Sequence, residues 1–445
     1  MARQTGDFIL GTRWPDIPEA ARHAARLWLL DLCGVAAAGS QTRLSRLIRD
    51  HAAAQFGAGA APARMLIDGR AVSPAGAALA GGMTIDAVDG HDGHKLTKGH
   101  VGCGVFPALL ALSEAEGALD DRAFLTALVI GYEIGTRAGI ALHRTACDYH
   151  TSGAWIAVAC AALGARVMGL SPAKLHEAMG IAEYHGPRSQ MMRCIDHPTM
   201  VKDGSGWGAM AGVSAAYLAR DGFTGGPAVT VTGAEVADLW SDLGTRWRIH
   251  EQYFKPYPVC RWAQPAMQAV LDLRAAHGLR AADVARIEVA TFHESRRLAT
   301  TRPRTTEEAQ YSTAYPAAVA MVRGTCDPED IMEESFADPD IRRLAETMVI
   351  TEDAGFNAAF PARRIARVTL HLTDGRALTS AETEARGDPE APVDAAEIAA
   401  KFHRYATPVL GDARTDALER AVMAMGDGTG LAAFLDAVTA PYSAP

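Results

Sequence analysis

Features that define several common protein classes are missing from this chain of 445 residues. Its seven cysteines are odd in number and dispersed, so we expect no disulfide framework, no structural zinc site and no cysteine-ligated iron–sulfur cluster. No apolar run reaches about 18 residues, so no membrane span is expected. The first residues, MARQTGDFILGTRWPD, lack the apolar core of a signal peptide, and we therefore expect a cytoplasmic protein.

Nucleic-acid binding and nucleotide binding are not indicated either. The formal net charge is −9 and no run is dense in lysine and arginine, so nucleic acid is not an expected partner. The P-loop pattern G-x-x-x-x-G-K-[ST] is absent, and the GCG at 102–104 lacks the strand and third glycine of a dinucleotide fingerprint. H-E-x-x-H and G-x-S-x-G are also absent, which argues against the common zinc protease and serine hydrolase classes.

The apolar pattern before residue 260 predicts closely packed helices. Apolar residues make up 49% of the chain but aromatic residues only 7%, while alanine and glycine are abundant. Apolar residues recur at helical spacing in segments such as 17–39 and 120–142. Two other segments, 73–88 and 171–184, open with Ser-Pro, which suits an N-cap followed by proline in the first helical turn.

The pattern changes after residue 260. Residues 285–295 and 364–387 alternate between apolar and polar, and in the second run the alternation surrounds Asp374-Gly375, which is a hairpin signal. A helical pattern returns near the C-terminus. The predicted fold is therefore mostly α with an α+β insertion. Its domains are a helical domain over 1–260, completed by 403–445, and an α+β domain over 261–402.

An unusual density of ionisable side chains occupies residues 86–100, DAVDGHDGHKLTKGH. Four potential metal ligands lie within this segment, namely Asp89, His91, Asp92 and His94. The adjacent Lys95 and Lys98 would oppose a cation, so no metal is expected. A solvated loop is one remaining alternative. The other is a basic pocket in which histidine carries a proton and lysine ammonium groups hold the carboxylates of a substrate.

Six segments, in order along the chain, resemble the MmgE/PrpD family, which includes 2-methylcitrate dehydratase, cis-aconitate decarboxylase and iminodisuccinate epimerase. In the first, residues 86–100, Asp86 and Asp89 match the aspartates of the family and His100 matches its histidine. The others are DYHTSGAW (148–155), TMVKDGSGWGAMAGVSAAYLARDGFTG (199–225), KPYPVCRWAQPAMQAVLDL (255–273), AQYSTAYPAAVAMVRG (309–324) and ARGDPEAPVDAAEIAAKF (385–402). No single segment would establish the resemblance, but together they cover most of the chain.

The resemblance implies an all-helical domain with a smaller α/β lid domain, a pocket between the two, and a homodimer. It also implies a reaction next to a carboxylate carbon of a small di- or tricarboxylate, and we expect it to need no cofactor. A lyase of the dehydratase or decarboxylase type is the expected activity. An epimerase of the iminodisuccinate type and a non-catalytic carboxylate-binding homologue remain alternatives.

The matched segments also nominate site residues. The resemblance implies that His100 and His150 are candidates for base and acid and that Lys202 neutralises a carboxylate. Asp89 is expected to fix a histidine tautomer, and Tyr315 to donate a proton or orient the substrate. A role for Tyr315 in the apolar core is the alternative. The expected substrate-binding residues are Lys95, Lys98, His94, Arg188 and Arg193, and entry of His91 and His94 into the pocket is left open.

Several positions depart from the pattern of the family. Ser205 stands where the family has a histidine three residues after its lysine, and Gln264 stands where a histidine is common. The threonine of the family's D-D-T is absent, and its H-P-S becomes His100-Val101-Gly102. These departures predict a divergent member and leave open which residue would protonate a leaving hydroxyl group.

Overall fold

Helices dominate the first 250 residues of the computed structural model, which describes residues 2–117, 119–428 and 430–441. The helices of this part are α1 (Ala2–Gly11), α2 (Glu19–Gly39), α3 (Arg43–Gln55), α4 (Pro74–Asp86), α5 (Gly102–Glu116), α6 (Asp121–Thr145), α7 (Gly153–Val167), α8 (Pro172–His185), α9 (Met191–Asp196), α10 (Ser205–Arg220) and α11 (Val229–Thr232). Two short antiparallel pairs join them, β1 (Ala63–Arg64) with β2 (Ala71–Val72) and β3 (Gly93–His94) with β4 (Gln252–Tyr253).

Small residues allow the central helices to approach each other closely. A Cβ atom on Gly82 of α4 would lie 2.5 Å from Gly206 Cα of α10. Similarly, α10 crosses α7 where Gly208 faces Gly153. The close crossings bring the loop that follows α4 beside the turn that precedes α10. Because these two segments carry His100 and Lys202, helix packing sets their separation.

One described helix, α6, is long and apolar enough by composition to cross a membrane. The whole of its apolar stretch is buried inside the protein. Its N-cap is Asp120, whose side chain accepts from Ala123 N at 2.7 Å, and its last turn carries His143 and Arg144. The helix thus packs as a core element of the helical part.

The second part of the chain combines helices with a five-stranded sheet. Its strands, β5 (Val284–Thr291), β6 (Val349–Glu352), β7 (Ile365–Leu372), β8 (Ala377–Thr379) and β9 (Thr383–Glu384), follow the order β6-β5-β7-β8, with β9 also paired to β7. Its helices are α12 (Gln264–His277), α13 (His293–Arg296), α14 (Thr306–Gln310), α15 (Ala314–Arg323), α16 (Pro339–Glu346) and α17 (Ala354–Ala359). The hairpin expected at Asp374-Gly375 joins β7 to β8, and Gly375 takes the left-handed φ of +91° that the turn requires.

Three helices follow the sheet, α18 (Ala395–Leu410), α19 (Asp412–Met423) and α20 (Ala432–Thr439). Helix α18 packs on α2, where Gly34 leaves room for the backbone of Phe402. The buried Lys401 of α18 forms an ion pair with Asp31 of α2 at 2.8 Å. The division predicted between residues 402 and 403 falls inside α18, which begins at the N-cap Asp394. The prediction of a mostly helical protein with a smaller α/β part is confirmed.

Candidate active site

The segment 86–100 is folded into the interior. The exposed fraction is 1% for Asp86, 3% for Asp89, 0% for His91 and 8% for His100. This burial is incompatible with the solvated loop that the residue types alone allowed. Buried ionisable groups require partners, and the partners come from distant parts of the chain.

Asp89 is paired with Lys255, the first residue of the KPYP segment. The Lys255 ammonium donates to the carboxylate and to the backbone oxygen of Asp89, and both residues are buried. Burial alone would raise the pKa of Asp89, but the Lys255 ammonium, followed by His100 and Lys202, lowers it below the ordinary range. Burial disfavours the charged form of Lys255, but the neighbouring Asp89 outweighs this effect and raises the pKa of Lys255. The pair therefore holds a fixed charge of each sign.

His100 is held in an orientation that leaves one ring nitrogen free. Its Nδ1 lies 2.6 Å from Asp92 O, and its backbone N donates to Ser152 Oγ at 2.9 Å. A carbonyl accepts only, so Nδ1 carries the proton and Nε2 keeps a lone pair. Nε2 lies 3.8 Å from Asp89 Oδ1. Burial, then Lys255, holds the pKa of His100 well below its ordinary value, so the ring is a neutral base at pH 7.

Lys202 lies in a strained turn immediately before α10. Its φ of +48° is unusual for a residue with a side chain, and Lys98 has a φ of +50°. The Lys202 ammonium donates to Gln310 Oε1 at 2.6 Å and lies 4.6 Å from the ring centroid of Tyr311. The strained backbone thus delivers the ammonium to the second part of the chain.

Gln310 connects the two parts of the site. Its Oε1 also accepts the backbone N–H of Asp89 at 2.9 Å, while its Nε2 donates to Ala87 O at 3.0 Å and to Thr306 Oγ1 at 2.8 Å. Gln310 has no exposed surface. Both ends of the amide are therefore satisfied, and a single oxygen fixes Lys202 relative to the Asp89 loop.

A cavity of about 490 Å³ opens beside Lys202. It falls within the range of roughly 300–1,000 Å³ that is typical of small-molecule sites. Its lining combines the buried Lys202, the exposed Arg193 and the apolar surfaces of Val201 and Trp207. Arg193, which the sequence nominated as a substrate-binding residue, thus lines the same cavity as Lys202.

His91, like His100, is not one of the residues that line this cavity. Its ring packs edge-on to that of His100, with centroids 4.3 Å apart. Its Nε2 lies 3.6 Å from Asp86 Oδ1 and 3.8 Å from Asp89 Oδ1. Neither His91 Nε2 nor Asp86 Oδ1 has a hydrogen-bond partner within the described residues.

Three of these residues could also hold a metal ion. Ligand atoms of Asp89, His91 and His100 lie within 4.8 Å of one another. The Lys255 ammonium contacts the same oxygen of Asp89 and would compete with a cation for that carboxylate. The donor set therefore fits a metal ion poorly while Lys255 is charged.

Tyr315 packs in the core rather than beside Lys202, contrary to the role that the resemblance implied. The Tyr315 hydroxyl donates to Asp330 O at 2.7 Å, and its ring packs against Phe336. Tyr311, four residues earlier, occupies the position beside Lys202. His150 Nδ1 is bound to Asp148 O at 2.9 Å, and the next residue, Thr151, lines the cavity beside Lys202.

Two residues expected to bind substrate are already engaged. Lys95 Nζ lies 3.0 Å from Asp388 and 2.9 Å from Glu390, so it joins the helical part to the segment after β9. His94 Nε2 lies 3.1 Å from Glu251. Because acids of the protein occupy both side chains, neither is free for a substrate carboxylate.

The remaining two nominated cations have different surroundings. The Lys98 ammonium lies 4.6 Å from the ring centroid of Tyr149, and no acid lies within ion-pair distance in the described ranges. Arg188 is exposed and lines a separate cavity of about 220 Å³ beside Glu183. It therefore lies outside the cavity that contains Lys202.

Sequence reasoning missed Lys255, Gln310 and Tyr311. Lys255 and Gln310 each stand in a segment that resembles the family, KPYPVC and AQYSTAYP, but neither was assigned a role. A polar side chain among apolar neighbours was the available signal. Its partner was not readable, because Lys255 lies 166 residues from Asp89.

Comparisons with known proteins agree with the resemblance. Residues 3–242 match the MmgE/PrpD N-terminal domain, and residues 257–425 match the MmgE/PrpD C-terminal domain. Cis-aconitate decarboxylase of Aspergillus terreus is 23% identical over 422 residues, covering 86% of this chain and 84% of that protein. The cis-aconitate decarboxylase-like protein oryM of Aspergillus oryzae is 23% identical over 404 residues, covering 80% of each chain. The two domain matches span most of the sequence, and the chain belongs to the MmgE/PrpD family.

Proposed function

We propose that this protein is a lyase of the dehydratase or decarboxylase type that acts on a small di- or tricarboxylate without a cofactor. The observation that carries the proposal is that a neutral His100 and a buried Lys202 both lie beside Asp89. Nε2 of His100 is 3.8 Å from the Asp89 carboxylate, and the Lys202 ammonium shares Gln310 Oε1 with the backbone N–H of Asp89. Family membership and the similarity to cis-aconitate decarboxylases support the same class.

His100 would handle the proton at the reacting carbon. A C–H group next to a carboxylate is a very weak acid, so its removal requires a base within hydrogen-bond reach. The unprotonated Nε2 of His100 supplies that base, and its fixed Nδ1–H keeps the tautomer. In a dehydration His100 would accept this proton while hydroxide leaves the neighbouring carbon. In a decarboxylation the C–C bond would break to release carbon dioxide, and the carbanion left behind would take a proton from solvent, because His100 is neutral at pH 7.

Lys202 would stabilise negative charge on the substrate. When the proton or carbon dioxide leaves, electrons move into the adjacent carboxyl group, and a positioned ammonium lowers the energy of that state. Lys202 is buried, so its charge is less screened by water than a surface charge would be. Lys255 stays bound to Asp89 and would keep that carboxylate ionised behind His100.

The proposal is tested by incubating the protein in D₂O with a panel of acids that includes cis-aconitate, citrate, malate and aspartate, followed by proton NMR. A lyase gives a new alkene signal from a hydroxy acid, or a shortened acid from cis-aconitate. His100→Gln should slow the change by about 100-fold or more. Exchange of the α-proton without a new product would instead indicate an epimerase, and no change across the panel would overturn the proposal in favour of a binding role.

We also propose that the protein acts as a homodimer, which the resemblance implies. Sedimentation equilibrium would measure this directly against the chain mass of 47.1 kDa. A species of one chain mass at micromolar concentration would contradict the proposal.

A further inference from the structure

Two arginines of the second part of the chain stack on the ring of Tyr253, and only one is saturated with acceptors. The Arg261 guanidinium lies 4.7 Å from the ring centroid. It is paired with Asp388, and backbone oxygens of Phe254, Ala385 and Arg386 accept from it at 3.0, 3.2 and 2.7 Å. Arg261 is thus fully used in holding the fold together.

Arg364, immediately before β7, differs from Arg261 in this respect. Its guanidinium lies 5.3 Å from the ring centroid of Tyr253, and its Nη2 donates to Lys95 O at 3.3 Å. Its Nε and Nη1 are buried and have no acceptor in the described part of the chain, although arginine is a donor at all five N–H positions. Arg364 is only 3% exposed and has no acid within 4.0 Å among the described residues.

A buried charge without a partner is costly, so its retention calls for a group that pairs with it. Lys98 supplies a second cation in the same place. The Lys95 carbonyl that accepts from Arg364 also accepts the backbone N–H of Lys98 at 3.3 Å. Burial lowers the pKa of Lys98, Glu294 opposes this, and the charge of Arg364 adds to the lowering. Lys98 and Arg364 thus supply one cation from each part of the chain, linked through the Lys95 carbonyl, and a carboxylate is the kind of group that would pair with both.

This position is next to the candidate base. The ring of Tyr253, on which Arg364 stacks, is edge-on to the His100 ring with centroids 6.5 Å apart. We propose that Arg364 and Lys98 bind one carboxylate group of the substrate beside the candidate base, His100. The inference rests on the proposed function, because it adds a second carboxylate contact to the same reaction. Binding of a carboxylate by Arg364 and Lys98 would favour substrates with at least two carboxylates.

The test measures binding of tricarballylate, a saturated tricarboxylate that cannot react, by isothermal titration calorimetry. The variants are Arg364→Met and Lys98→Met, and Arg261→Met is the matched control for a stacked arginine with structural contacts. Arg364→Met should weaken binding about 10- to 100-fold, the range for a hydrogen-bonded charged group. Without ligand it should melt no lower than the wild type, whereas Arg261→Met should melt lower.

Weaker binding in Arg364→Met or Lys98→Met, with an unchanged or raised melting temperature for Arg364→Met, would support the inference. Equal binding by the wild type and both variants would overturn it and leave the proposed function standing. A lowered melting temperature for Arg364→Met with unchanged binding would also overturn it, since Arg364 would then be structural. Failure of the wild type to bind tricarballylate would count against the proposed substrate class itself.

Discussion

Lys202 donates to Gln310 Oε1 at 2.6 Å, and this one contact ties the turn before α10 to the second part of the chain. The same oxygen accepts from Asp89 N at 2.9 Å. The ammonium and the Asp89 loop therefore share one reference point. If the second part of the chain moved away, Lys202 and Asp89 would both lose their hydrogen bond to Gln310. The site is therefore assembled only when the second part is packed against the first.

Gln310→Ala should lower kcat by about 10- to 100-fold, because the ammonium loses the acceptor that positions it. The matched control is Gln252→Ala, since Gln252 is also buried and donates to Thr136 Oγ1 and Arg248 O outside the site. Both variants lose buried hydrogen bonds and should lose similar stability in a thermal melt. Steady-state kinetics on the substrate found by NMR would separate them, and equal activity of the two variants would contradict a positioning role for Gln310.

His100→Gln should reduce kcat by about 100- to 10,000-fold, the usual contribution of a general base. Glutamine keeps a polar group of similar reach but cannot accept a proton at neutral pH. His403→Gln is the control, because His403 lies on α18 and is bound to Glu419 at 2.8 Å. Stopped assays at saturating substrate suffice, and activity of His100→Gln within a factor of three of the wild type would exclude His100 as the base.

The activity of the wild type should persist to lower pH than an ordinary histidine base allows. Burial and Lys255 hold the pKa of His100 well below its ordinary value, so the acid limb of kcat/KM should have its midpoint below about 6.5. Lys255→Met removes the ammonium that disfavours protonation of His100, so the limb should move to higher pH. Lys174→Met, at a half-buried lysine of α8 whose ammonium donates to Arg220 O, should leave the limb in place. A limb that does not move in Lys255→Met would contradict this electrostatic account.

The fold could be predicted because its signals are local. Helical spacing, Ser-Pro N-caps and the Asp374-Gly375 hairpin each act within a few residues, and the structure contains the elements that they predict. The site was predicted less completely. Lys95 and Lys98 are three residues apart in one loop, yet one is paired with acids after β9 and the other lies over Tyr149. The direction of a side chain in an irregular turn depends on contacts that local sequence does not encode.

Long-range pairs account for the residues that were missed. Gln310 lies 108 residues from Lys202, and Arg364 lies 269 residues from Lys95. Neither stands in a pattern with a periodicity that would reveal its partner. The composition of residues 86–100 indicated a functional segment. The residues that complete the site come from the second part of the chain, and only the fold shows that they lie beside it.

Removal of divalent metal ions should not change the activity. Asp89, His91 and His100 have the spacing of a metal-binding group, but the Lys255 ammonium occupies the same Asp89 oxygen. Dialysis against EDTA, followed by assay with and without added Zn²⁺ or Mn²⁺, measures this. Loss of activity that either ion restores would show that a metal displaces Lys255 and that the reaction needs it.

The free energy of unfolding should depend on pH through the titration of Asp203. Its carboxylate accepts a hydrogen bond from Ser152, whose hydroxyl oxygen accepts from the backbone N–H of His100. Burial, then the neighbouring Asp86, raises the pKa of Asp203 above the ordinary value of about 3.9. The native state therefore binds the proton of the Asp203 carboxyl group more tightly than the unfolded chain does. As pH rises from about 4 through the native pKa, ionisation of Asp203 progressively lowers the free energy of unfolding. Asp203→Asn removes the charge, and its melting temperature should exceed that of the wild type by more at pH 8 than at pH 5.

Asp416→Asn, on the exposed face of α19, is the control, because it removes a carboxylate that is not buried. Differential scanning calorimetry at a series of pH values gives both curves. If the Asp203→Asn and wild-type curves run parallel from pH 5 to pH 8, Asp203 does not titrate in that interval. The repulsion between Asp203 and Asp86 would then have to be relieved by a cation, and the assignment of charges around His100 would change.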